Sequence, residues 1–424
     1  MPFSSYLGAC LWQRRWCIGL ALAVLLGIVF RLAWINDIEY KSDEAQTFAI
    51  TESYFTTHEW PTVGIMSSQG LPNSGLSLWQ MTAIEAFVPA DPQSVTRAIE
   101  VINCASLLLL ALFIWRCVDA REKEAWGWGL ALISVNPLAV LFSRKIWELD
   151  LFPPYVLGVL LGWWYRDRWW GALLWGFTGA LLGQVHLGGF YYAAAFFLVT
   201  LYYGRRDTNW TAWFAGSVLG ALPMLPWLAV VFTTHPHVTP PSLSNLNPLI
   251  FAHWLGYASA LELAYSLGRD FWNFLAGPVI GGVPTYMAAL VHVVLLALEC
   301  MIFVRLYKRW SAEARALLFS PQSKTALVLL AAFLVHGLIV IASLHESYLH
   351  YLAITFPLPV LSLVWLDRAA SSRHGVITQS RGLLTAIVIG QAILTLLFLL
   401  YVHQAAHIDG DYGTPWHAQI HTAS

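Results

Sequence analysis

Residues 73–88, NSGLSLWQMTAIEAFV, are apolar enough for a helix but carry Ser77, Gln80, Thr82 and Glu85 at spaced positions. Such a helix either crosses a membrane or lies along its surface with the polar side chains toward water. Every later span changes direction with that choice. Laid on the surface, with the N-terminus inside, the stretch leaves seventeen Lys and Arg on the inner side. Six remain outside: Arg31, Lys41, Arg97, Arg144, Lys145 and Arg269. As a span, it would send Arg116, Arg121, Lys123, Arg166, Arg168, Arg205 and Arg206 outward, against the positive-inside rule. Residues 73–88 are therefore expected to lie on the outer surface. The chain is then an all-α polytopic membrane protein of about eleven spans, with juxtamembrane helices on its outer face.

Composition sets the same class. Of 424 residues, 58% are hydrophobic and 11% charged. Mean hydropathy is +0.60. A soluble domain carries about 25% charged residues, so too little polar surface is present for a water-facing globule. Net charge is −1, which gives nucleic acid nothing to bind. The five cysteines (Cys10, Cys17, Cys104, Cys117, Cys300) lie in or beside apolar runs without metal or redox spacing. No internal repeat is present, so residues 1–424 form a single integral membrane domain.

Spans are expected near residues 16–35, 94–115, 125–142, 152–165, 170–186, 189–204, 210–232, 284–304, 325–343, 350–366 and 383–402. The first follows Arg14 and Arg15, exceeds a signal-peptide core and lacks a small-residue cleavage site, so it stays attached. Residues 36–93 form a first outer loop with surface helices over 42–58 and 73–88. Residues 233–283 form a second long outer loop with a surface helix over 255–274, and 403–424 an outer tail. The N-terminus is cytoplasmic and the C-terminus outside, in a bacterial inner or plasma membrane. Inner connections are short and outer ones long and acidic, so function is expected outside.

Asp43 and Glu44 stand first among the outer carboxylates, just beyond the first span. They read either as catalytic acids or as first-turn residues of a helix capped by Ser42. Asp150, in SRKIWELDLFPP, opens onto the same side from the third span. It serves a site, a helix cap, or an ion pair with Arg144 or Lys145. A base at such a mouth can take a proton from an acceptor hydroxyl. Arg144, Lys145, Arg97 and Arg269 are candidates for a lipid phosphate, the bland alternative being headgroup contacts. His345, Glu346, His350 and Tyr351, with His186, are expected to line a polar cavity. The five-residue separation of His345 and His350 fits no strong ligand motif. No cofactor is expected, a loosely held divalent cation being the lesser alternative. His292 and His336 fall within spans, as packing partners. Trp254, Tyr257 and Trp272 are outer-loop aromatics that can stack on a sugar.

In that order these elements resemble the GT-C polytopic glycosyltransferases, in the branch of protein O-mannosyltransferases and lipid A aminoarabinose transferases. The carrying residues are Asp43 and Glu44; Pro72; Arg97; Ser143, Arg144 and Asp150; and His350, Tyr351 and Pro357. The resemblance covers roughly residues 16–230, and 284–402 more loosely. It implies Asp43 as the catalytic carboxylate, Asp150 as the second acidic position, and a polyprenyl-phosphate sugar as donor. The sequence departs at Gly70, Leu71, Pro72 and Asn73, where the family has a basic residue or a Pro-Pro pair. It also lacks a large soluble C-terminal domain, so the acceptor does not carry over. The expected function is a hexosyl- or pentosyltransferase acting with inversion on an acceptor hydroxyl at the outer face. The alternatives are a lipid-linked sugar flippase and a non-catalytic cell-envelope subunit.

Overall fold

The computed structural model describes residues 3–346, 354–356, 358–371 and 377–423. The helix α1 spans Phe3–Leu32. After it, α2 (Ser42–Thr57), the hairpin β1 (Val63–Met66) and β2 (Pro72–Ser74), and α3 (Leu76–Glu85) make up the stretch that the charge bias reads as the first outer loop. The expected helix over 73–88 is shorter than read. Its first two residues belong to the hairpin, because Asn73 and Ser74 are extended and buried against neighbours, and Gly75 is the cap of α3. Thr51 of α2 donates to Glu85 of α3, which holds the two surface helices together.

The bundle continues with α4 (Pro92–Cys117), α5 (Lys123–Val135), α6 (Pro137–Leu141), α7 (Phe152–Trp164), α8 (Trp169–Val185), α9 (Gly188–Tyr203), α10 (Trp210–Ala221) and α11 (Leu225–Thr234). Asp91 caps α4 by accepting from the Ser94 N–H at 2.9 Å, with Pro92 at the first turn. The expected span 125–142 is broken in two. Pro137 has no N–H to continue α5, and Asn136 restarts the chain as α6 by capping the Ala139 N–H at 3.0 Å. Pro223 and Pro226 likewise divide the span at 210–232 into α10 and α11. Against α8, α10 packs backbone to backbone. A Cβ on Gly176 would stand 2.1 Å from the Trp213 carbonyl, and one on Gly216 equally close to that of Leu173. Small residues let helices approach where lipid gives no hydrophobic drive.

The second outer loop holds α12 (Ile250–Ser259), α13 (Leu263–Leu267), α14 (Phe271–Ala276) and the hairpin β3 (Val279–Ile280) and β4 (Val283–Pro284). The single surface helix expected over 255–274 is thus three short ones. Ala260 turns left-handed (φ 61°) after α12. Gly268 (φ 55°) breaks the chain again, where a Cβ would meet the Asp409 carbonyl at 2.0 Å. The chain then forms α15 (Met287–Lys308), α16 (Ala312–Leu318), α17 (Lys324–Leu329), α18 (His336–Ala342), α19 (Leu358–Ser371), α20 (Ile377–Gln404) and α21 (Trp416–Ala423). Among the described residues five helical stretches are long and apolar enough to cross a membrane: Pro92–Cys117, Trp210–Thr234, Met287–Lys308, Lys324–Ala342 and Ser380–Gln404. The protein is integral and multi-pass.

Candidate functional site

Beyond α1 the chain makes a turn at Ile35–Asp37 and then runs extended into α2. The cap of α2 is Lys41, one residue earlier than the Ser42 expected, and its side chain forms no cap bond. Instead Glu44 reaches back to accept the Lys41 N–H at 3.2 Å. That turns Glu44 inward, where it is 1% exposed. Asp43, one helical step away, faces outward.

Beneath Glu44 lies Lys145. Its ammonium is 3.2 Å from Glu39 and 3.9 Å from Glu44, and sits 4.2 Å above the Trp147 ring. The Lys145 N–H donates to Asp150 Oδ2 at 3.2 Å, and Asn103 of α4 donates to the Asp150 carbonyl at 2.8 Å. Asn73 of β2 donates to Glu148 Oε1 at 3.1 Å. Four segments therefore meet here: the first outer loop, its hairpin, α4, and the turn between α6 and α7. Sequence reasoning had Asp43, Glu44, Lys145 and Asp150 as site residues but missed Glu39, Glu148 and Asn73. The available signal was the run Glu148, Leu149, Asp150, two acids in one turn.

Burial controls the protonation of the cluster. It lifts Glu148 to about 8, with the charges of Asp43 and Glu44 adding to the rise. Burial and then the Glu39 charge lift Glu44 to about 7, against Lys145. Asp150 is raised well above the ordinary carboxylate range by burial, opposed by Lys145. At Lys145 burial favours the neutral amine, but Glu39, then Glu44 and Asp150, outweigh it and its pKa is raised. The arrangement is a positive charge among carboxyls of which Glu44, Glu148 and Asp150 are raised by burial, with Asp43 facing out beside them.

The arginines do a different job. Arg144 donates to the carbonyls of Phe30, Ala33 and Trp34 at 2.9, 2.6 and 2.9 Å, and stands 3.6 Å from Glu100. Arg97 donates to the Leu32 carbonyl and pairs with Glu100, both at 2.8 Å. Arg31 takes the Ser134 carbonyl at 2.7 Å, at the end of α5. Helix ends leave carbonyls without intrahelical partners and a partial negative charge, and guanidinium groups satisfy both. Arg97 and Arg144 thus cap the end of α1. Arg269 lies apart, 92% exposed, with Asp409 at 3.9 Å.

His186, His345 and Glu346 meet in one cleft of about 260 Å³, with Ser67, Gln69 and Tyr191. Gln69 at the hairpin tip donates to the Glu346 carbonyl at 3.1 Å. His186 sits edge-on to Phe152, two residues after Asp150, so the cleft adjoins the acidic cluster. His350 and Tyr351 lie outside the described residues. Trp254 and Tyr257 are buried, each 4% exposed, and so unable to stack on a sugar; Trp272 is exposed. His292 and His336 are buried within the bundle. Among the described residues no three His, Cys, Asp or Glu side chains converge as a metal-ligand set.

The stretch expected as an outer tail closes over the first outer loop. Asp37 bonds His403 at 2.9 Å, and the His417 ring stands 3.1 Å from its other oxygen. Lys41 pairs with Asp411 at 2.8 Å, and the Trp416 N–H donates to the Ile38 carbonyl at 3.1 Å.

A helical membrane bundle whose first outer loop folds over the helix mouths is the GT-C fold, and this chain has it. Its structure is similar to that of ArnT from Cupriavidus metallidurans bound to undecaprenyl phosphate, with a TM-score of 0.50 and 13% identity. The match covers 91% of this chain and 64% of that one, so this chain spans under two thirds of its length. The apo oligosaccharyltransferase from Archaeoglobus fulgidus aligns with a TM-score of 0.45 and 15% identity, over 91% of this chain and 54% of that one. At these identities the likeness is one of fold. No protein-family model and no curated protein sequence matches the chain.

Proposed function

We propose that the chain is a membrane glycosyltransferase that moves a sugar from a polyprenyl-phosphate donor to an acceptor hydroxyl, with inversion. The observation that carries this is outward-facing Asp43 beside the buried cluster of Lys145, Glu39, Glu44, Glu148 and Asp150. An apolar groove of about 580 Å³ starts at Leu151, next to Asp150, and runs along Tyr155, Leu76 and Leu181. It suits a prenyl chain, and undecaprenyl phosphate is the ligand named in the ArnT structure.

In this reaction Asp43 takes the acceptor's hydroxyl proton as the acceptor oxygen bonds to the anomeric carbon. The bond from that carbon to the phosphate oxygen breaks on the opposite face, and its electron pair leaves with polyprenyl phosphate. Of the four cations expected to hold the phosphate, Arg144 and Arg97 are committed to the end of α1, and Arg269 lies apart. Lys145 remains, joined by Lys41, whose ammonium reaches the same Glu39 oxygen at 3.0 Å and is 30% exposed. Glu44 and Glu148 are buried and raised to about 7 and about 8, which leaves Asp43 as the outward carboxylate. The cleft with His186, His345 and Glu346 is the place for the acceptor or sugar.

The test is transfer of labelled sugar from a polyprenyl-phosphate donor by wild type and Asp43→Asn in lipid, with and without chelator. A positioned base contributes about 10²–10⁴-fold, so the variant should lose that much. Undiminished transfer by Asp43→Asn would refute its role, and loss on chelation would add a divalent cation.

A further inference from the structure

At the other end of the bundle a cleft of about 230 Å³ opens between α5, α19 and α20. The course of α20 fixes its place. Arg381 pairs with Glu124 at the start of α5, Thr395 donates to the Val135 carbonyl at its end, and His403 bonds Asp37 in the first outer loop. Arg381 and His403 are thus about 33 Å apart along the helix. That is the thickness of a bilayer's hydrocarbon core, about 30 Å. The cleft therefore lies at the opposite interface from Asp43, the one that the charge bias reads as cytoplasmic.

Its lining is cationic beyond its own acids. Glu124 is taken by Arg381 through two bonds of 2.8 and 3.1 Å. Asp367 is 1% exposed and held by Arg305 at 3.3 Å. Nearby Glu122 accepts from Ser323 and Thr325. Arg121 and Arg368 complete the charged lining, with Arg368 in the field of Glu122 and Glu124. Arg121 is exposed. Arg368 lies against the Trp365 ring at 4.8 Å, and its Nη1 is buried with no hydrogen-bond partner. The hydroxyls of Ser371 and Ser380 stand at the same wall, and Trp128, Val364 and Leu384 make the rest apolar.

Two guanidinium groups beside an apolar wall at an interface match a phosphate with acyl chains attached. We infer that this cleft is a binding site for the phosphate headgroup of an anionic lipid in the leaflet opposite Asp43. The phosphate accepts from Arg121 and faces the charge of the Arg368 guanidinium, and the glycerol end of the acyl chains lies on Trp128 and Leu384. The headgroup lipid is distinct from the polyprenyl phosphate proposed at the Asp43 end, and the inference stands without that proposal.

The test uses the full chain in nanodiscs of phosphatidylcholine with phosphatidylglycerol, released gently and weighed with its bound lipids. Wild type should retain anionic lipid in preference to phosphatidylcholine. The double variant Arg121→Ala, Arg368→Gln should lose about tenfold of that retention. Arg121→Ala alone, at an exposed side chain, should lose part of it with folding intact. Arg116→Ala, on the same face but outside the cleft, should lose none. Equal retention by wild type and both cleft variants overturns the site. Retention abolished by inorganic phosphate, with equal thermal protection of the lipid-free chain by that ion, overturns the lipid assignment in favour of a free phosphate.

Discussion

Glu148→Gln tests whether the buried acid is neutral when the protein is folded. Burial, with the charges of Asp43 and Glu44, lifts Glu148 from 4.5 to about 8. A folded-state pKa above the unfolded one contributes stability that is complete below about 4.5 and lost as pH rises toward 8. At about 1.4 kcal/mol per pH unit, wild type loses roughly 5 kcal/mol across that window through this one group. Glutamine mimics the protonated acid and keeps a carbonyl for the Asn73 N–H, now donated to Glu148 at 3.1 Å. Unfolding of both proteins in detergent, followed by helical signal from about pH 5 to about pH 8, measures the difference. The variant should match wild type or fall slightly below it at the acid end. It should gain on wild type steadily toward the alkaline end. Parallel stability curves at all pH values would refute the claim that Glu148 is held protonated by its surroundings.

Asp43→Asn, besides its loss of transfer, should unfold at the wild-type temperature, since Asp43 is exposed and Glu44 supplies the helix-start bond; marked destabilisation would make Asp43 structural. Arg144→Met leaves three carbonyls at the end of α1 and Glu100 short of a partner, and should cost about 3–5 kcal/mol in thermal unfolding. An unchanged midpoint would show that the arginine is free for another role. Ending the chain after residue 405 removes Asp411 from Lys41 and Trp416 from Ile38, so trypsin should cut after Lys41 faster than in wild type. Cleavage at the wild-type rate would mean that the tail does not hold the loop.

Much of the architecture was readable because membrane insertion is decided locally. A run of about 20 apolar residues satisfies its own backbone bonds and seeks lipid whatever surrounds it. The apolar stretches at 92–117, 287–308 and 377–404 follow from that rule, as does their class. Asp43 and Asp150 stood out as candidates because each lies just outside an apolar run. The breaks were harder. Pro137 announced the end of α5, but only Asn136 bonded to Ala139 and to the Tyr257 carbonyl shows α6 beginning there.

Partnerships across the chain were not readable at all. Lys145 meets Glu39 over 106 residues, and Asn73 meets Glu148 over 75. Arg144 reaches α1 over more than a hundred residues, to carbonyls that every residue possesses and no sequence marks. By itself the sequence determined the membrane class and several apolar spans, since each depends on hydrophobicity over a short window. Only the tertiary structure decided which cation lies among the buried acids and which caps a helix, which acids burial raises, and that the tail covers the loop after α1. Charge and protonation depend on what stands within a few ångströms in space, and folding alone brings those groups together.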